Sequence, residues 1–117
     1  MANQEHVKLA SSGPDALDSW RENNPDVKLD LEGADLSGVN LAGTKIHEAN
    51  LKGANLTKAR LSKANLAGSD LTGADLSEAD FGQAGMAGSD LSGATVNTAN
   101  FFWTDIAVAS ITRATSP

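Results

Sequence analysis

The side chains that could do chemistry are two histidines, fifteen carboxylates and many Ser and Thr hydroxyls, with no cysteine. Without Cys there is no disulfide, no thiolate metal site and no Cys nucleophile. A bound metal usually needs three or four converging ligands. Neither His6 nor His47 shows such a cluster, and His47 has only Glu48 beside it. Both are expected to be exposed and without a role. No Ser-His-Asp constellation can be picked out, because Ser and Thr recur along the whole chain. Asn55-Leu56-Thr57 has the form of a glycosylation acceptor, but such triplets arise here from internal repetition. No catalytic residue, cofactor site or metal site is expected, and the chain reads as a non-enzyme.

Composition narrows the partners. The 117 residues have room for one domain, and the formal net charge is -6. General nucleic-acid binding needs a cationic surface, so no direct nucleic-acid contact is expected. A partner with a basic face suits this charge equally well. No apolar run approaches the roughly 20 residues needed to span a bilayer, so no membrane contact is expected. Met1 to Leu9 lacks the apolar stretch of a signal peptide, and a cytoplasmic location is expected. Hydrophobic residues make up 40% of the chain but aromatics only 4%, which favours a narrow, regular core of Leu and Ala.

The element that positions everything else is a five-residue repeat. From Leu31 to Ile111 every fifth residue is large and apolar, seventeen times without an insertion. Two residues before each centre the side chain is small, mostly Ala, with only Leu29 and Val39 bulkier. The residue just before the centre is Asp or Asn in twelve cases, with Lys45, Arg60, Gly85 and Thr95 among the departures. Two residues after the centre Gly recurs eight times. Period five fits neither an α-helix, where the Leu would wind round all faces, nor a long strand, where it would alternate sides. It fits very short extended pieces joined by tight bends, with Gly and Asp/Asn at the bends. The unit Gly82 to Met86 is the least regular and is expected to turn more loosely.

The runs LEGADLSGVNL, ANLKGANL and SDLTGADLSEADF closely resemble the A(D/N)Lxx signature of the pentapeptide-repeat family. The resemblance covers residues 29–111. It implies an all-β fold, a right-handed quadrilateral β-helix with four pentapeptides per coil and about four coils. At ~4.8 Å between stacked strands such a solenoid is roughly 20 Å long. The string SWRENNPDVKLDLEGADL resembles the lead-in of bacterial, often cyanobacterial, members.

Residues 1–28 are expected to cap the solenoid, because open solenoid ends invite association. His6-Val7-Lys8-Leu9 alternates and reads as a short strand. Pro14 suits the first turn of a helix over about 14–23, with Ser12 or Gly13 as N-cap and Asn24-Pro25 as the stop. Leu17 and Trp20 share a face of that helix. Trp20 serves either as a ligand platform or as a lid over the first coil, and the lid is expected.

Twenty residues per coil turns linear charge clusters into vertical neighbours. Glu32 with Lys52, Lys58 with Glu78 and Arg60 with Asp80 are expected to pair across adjacent coils. Asp30, Asp70 and Asp90 fall in one column, where a cation site is conceivable but solvated carboxylates are commoner. At the far end Phe102, Trp103, Ala107 and Val108 form an apolar outward cluster, followed by a short tail, 112–117. Such a cluster points to self-association as a two-fold homodimer. The competing reading folds Phe102 and Trp103 back with the tail as an intramolecular plug.

Function is accordingly read as a protein-binding or structural scaffold module with an unknown partner. The alternative implied by the resemblance is a DNA-mimicking modulator of type II topoisomerases (gyrase), of the kind that confers quinolone resistance.

Overall fold

The computed structural model describes residues 2–106, and within them the five-residue period becomes a stack of coils. Parallel β-bridges join residues twenty apart, from Asp30 with Asn50 to Gly85 with Asp105. They fall into four columns, one for each pentapeptide of a coil. No run of bridges is long enough to make a strand among the described residues: each pentapeptide contributes one bridging residue and then turns.

The repeat unit Asn50 to Ala54 shows why the residue types recur. Asn50 N–H donates down to the carbonyl of Leu29, while Leu51 and Gly53 N–H donate up to Asp70 and Thr72. Ala54 N–H closes the turn on the carbonyl of Leu51 at 3.0 Å. The remaining donor, Lys52 N–H, goes to Oδ1 of Asn50 at 3.1 Å. All five N–H groups are thus used, and the Asp/Asn before the centre supplies the one acceptor that the backbone cannot. The same side-chain bond recurs at Asp30, Asp35, Asn40, Asn55, Asn65, Asp70, Asp75, Asp80, Asp90 and Asn100.

Position two after the centre is left-handed in every turn, with φ 67° at Gly53. Where Gly is absent the backbone keeps this shape, with Glu48, Lys58, Lys63, Glu78, Gln83, Thr98 and Trp103 all at φ between 56° and 61°. The unit Gly82 to Met86 is no looser than the rest: Gln83 has φ 61°, and Ala84 N–H closes the turn on Phe81 at 2.9 Å. Turn shape is therefore set by stacking between coils, and Gly only lowers its cost.

The centres from Leu31 to Leu91 are buried, and so is most of the small phase. Thr44 and Ser89 fit there because their hydroxyls donate to the carbonyls of Leu41 and Met86. Phe81 stacks on Phe101 with ring centroids 5.2 Å apart.

Two helices precede the coils, α1 (Gln4–Ala10) and α2 (Pro14–Asn23). The expected strand at His6 to Leu9 is instead part of α1. Asn3 caps that helix, its side chain accepting from Glu5 and His6 N–H, and Glu5 and Lys8 suit its two ends. A capped run of helix formers outweighs an alternation of only four residues. α2 starts at Pro14 with Gly13 as N-cap and buries Leu17.

Candidate functional site

Ala10 of α1 and Leu17 of α2 are fully buried in one cluster with Leu29 and Leu31, and Trp20 packs against it half-buried. The ring of Trp20 has two close neighbours. His6 meets it edge-on at 5.4 Å, and the Arg21 guanidinium lies 5.2 Å from its centroid. His6 has a role after all. Its Nδ1 accepts from Asp30 N–H at 2.9 Å, the donor that in higher coils reaches the coil below. His47, also expected to be exposed, is half-buried. Arg21 is buried and donates to the carbonyls of Lys45, Val27 and Asn24. Burial lowers its pKa from the ordinary guanidinium value.

Of the charges expected to pair, Arg60 and Asp80 are bridged through the backbone. No ion pair joins Arg60 to Asp80 or Lys58 to Glu78 among the described residues. Oδ1 of Asp80 instead accepts from Gly82 N–H and from Nδ2 of Asn100. Glu32 accepts from Nδ2 of Asn50 at 3.2 Å, and Lys52 lies one coil on, its carbonyl taking the N–H of Gly33. An inter-coil ion pair does form between Lys28 and Glu48 at 3.4 Å, also twenty residues apart. Both of its side chains are well exposed, so its stabilising effect is small.

At the other end Phe102 is 66% exposed and Trp103 76% exposed, and their rings meet edge-on at 5.5 Å. The centre Ile106 is 47% exposed. Ala107, Val108 and the tail 112–117 lie outside the described residues.

The family model for pentapeptide repeats (8 copies) matches residues 28–62 and again residues 64–101. The chain belongs to the pentapeptide-repeat family. Its fold is similar to that of alr5209, a pentapeptide repeat protein of Nostoc Pcc 7120, at 30% identity and a TM-score of 0.67. That match covers 82% of this chain and 78% of the other. It is also similar to HetL of the cyanobacterium Nostoc sp. Strain PCC 7120, at 34% identity and a TM-score of 0.52 over 70% of this chain. The match spans only 34% of HetL, a protein involved in heterocyst differentiation regulation. None of the curated proteins matches the chain.

The pentapeptide scaffold accounts for most of the polar residues that could do chemistry. Asp70 and Asp90 are bridged neighbours in one column, yet each already accepts the N–H two residues on. The hydroxyl and N–H of Ser92 hold the Asp90 carboxyl below its ordinary pKa, and those of Ser37, N–H first, do the same for Asp35. Among the described residues no group of His, Asp or Glu could hold a metal ion. No helix among them is long and apolar enough to cross a membrane. The aspartates that precede the central residues, Asp30, Asp35, Asp70, Asp75, Asp80 and Asp90, therefore serve the turns.

Proposed function

We propose that this pentapeptide-repeat protein is a cytoplasmic, non-enzymatic protein-binding module. Its scaffold is read as a right-handed, four-sided β-helix, and its contact surface centres on Phe102 and Trp103. Through that end it pairs with a second copy of itself about a two-fold axis. One observation carries this reading: Trp103 is 76% exposed and sits at φ 59°, in the left-handed position that eight other turns give to Gly. A bulky residue costs about 1–2 kcal/mol more than Gly in that conformation. An exposed ring returns little of that to the fold, so the residue suits contact with another molecule.

The surroundings support a protein partner. Phe102 borders a shallow groove of about 220 Å³ that reaches Lys63, Asp80 and Gln83 on the same side of the solenoid. An aromatic anchor beside a polar groove is the usual anatomy of a protein interface. A two-fold pair would let the same patch meet itself.

Topoisomerase modulation by DNA mimicry would call for a continuous acidic face. Here each of the four columns also carries a cation, namely Lys52, Lys58, Arg60 and Lys45. Gyrase supercoiling is expected to be unchanged by added protein.

The substitution Trp103→Gly tests the reading. It relieves the left-handed backbone, so thermal stability at low protein concentration should hold or rise, while self-association weakens by tenfold or more, about 1.4 kcal/mol. A variant that melts earlier and associates as the parent does would show that Trp103 serves the fold.

A further inference from the structure

We propose that the junction between α2 and the fourth pentapeptide of the first coil binds a small carboxylate that carries its own hydrogen-bond donor, the class of free α-amino and α-hydroxy acids. This site lies at the cap, away from Phe102 and Trp103, and does not depend on the reading of that end.

Two clefts of about 410 and 140 Å³ share Arg21, Pro25 and His47 in their walls, and the larger is completed by Asp18, Glu22 and Lys45. Arg21 is only 5% exposed. Its Nε and Nη1 meet backbone carbonyls alone, so the guanidinium charge is solvated by neutral groups and has no carboxylate partner among the described residues. Its Nη2 is buried without a partner, and so are Oδ1 of Asp18 and Nδ1 of His47. Three residues that line one cleft thus each carry such an atom, which is unusual, because buried polar atoms are nearly always paired.

Their chemistry specifies the ligand. A buried cation with a spare Nη2 attracts an anionic oxygen, and Arg suits a carboxylate in particular. Lys45 adds positive charge at the cleft. Asp18 repels a bare anion, so the ligand must present an N–H or O–H toward Oδ1. His47 Nδ1 can donate to the second carboxylate oxygen when it carries the ring proton. A zwitterionic amino acid meets these demands with its carboxylate on Arg21 and His47 and its ammonium on Asp18. A hydroxy acid meets them with its hydroxyl on Asp18.

The test is an NMR titration of the full chain with glycine, L-lactate and acetate as probes, following the Arg21 side-chain N–H and the His47 ring. Glycine or L-lactate should shift these signals and saturate at about millimolar concentration, with acetate at least about tenfold weaker. Glycine ahead of lactate identifies the amino-acid source, and the reverse identifies the hydroxy-acid source. Asp18→Ala should erase the advantage over acetate. His47→Ala should weaken the preferred probe severalfold, with the helical circular dichroism of both variants retained. Signals that stay still with glycine and lactate, acetate binding as tightly as either, or an advantage that survives Asp18→Ala would each overturn the proposal.

Discussion

Arg60 and Asp80 are bridged through the backbone across adjacent coils, Leu61 N–H reaching the carbonyl of Asp80 at 2.7 Å, yet their side chains form no ion pair. The position is built for an acceptor: Asp80 turns its carboxylate to Gly82 N–H, a bond that Arg60 cannot offer to Ser62 N–H. Arg60→Asn should therefore stabilise the protein by about 0.5–1 kcal/mol, the value of one neutral hydrogen bond. Urea unfolding checks it, and a lower midpoint would mean that the Arg60 side chain itself stabilises the coil by more than that bond.

Turn geometry gives a second expectation. A Cβ added at Gly73 would meet nothing within 4 Å, so any cost of Gly73→Ala is conformational. With φ at 68° that cost is about 1–2 kcal/mol. The reverse change Lys58→Gly, at φ 61°, should gain a smaller amount, because Gly also loosens the unfolded chain. Paired melting curves decide both signs.

Core packing gives the third. Leu61 is fully buried at mid-solenoid, and Leu61→Ala should cost about 2–5 kcal/mol. Leu61→Asp would bury an unpaired charge and should prevent folding. A Leu61→Asp variant that melts like the parent would place this side chain outside.

The five-residue period is legible in the sequence because one inward side chain per pentapeptide, from Leu31 to Leu91, leaves a mark there. The Asp/Asn phase is legible for the same reason, since its side chains bond two residues away. The roles of His6 and Arg21 are not. Their partners, Asp30 N–H and the Lys45 carbonyl, are backbone atoms 24 residues off, and a backbone atom leaves no residue signature. α1 is masked by the alternation of four residues, and the Asn3 cap in front of them is the signal that reveals it. The Lys28–Glu48 pair is hidden because Lys28 precedes the first regular repeat.

Acid sensitivity follows from the turn aspartates. Hydrogen bonds from Ser37 and Ser92 lower the pKa of Asp35 and Asp90 relative to the unfolded chain. Their stabilisation is therefore present above the unfolded value, about 3.9, and is lost as pH falls through the lower folded value. The double change Asp35→Asn and Asp90→Asn keeps both acceptors and removes both titrations. It should flatten the fall in melting temperature below about pH 4 while leaving the neutral range nearly unchanged. An acid limb identical to that of the parent would assign the sensitivity to other groups.

The most direct test of the proposed contact surface is the mass of the chain in solution by light scattering at micromolar concentration. One chain weighs 12.0 kDa. The parent should scatter as a pair of chains, about 24 kDa, and Phe102→Ser with Trp103→Ser should return it to a single chain with the fold intact. A parent that already scatters as a single chain, or a double variant that stays paired, would contradict the account.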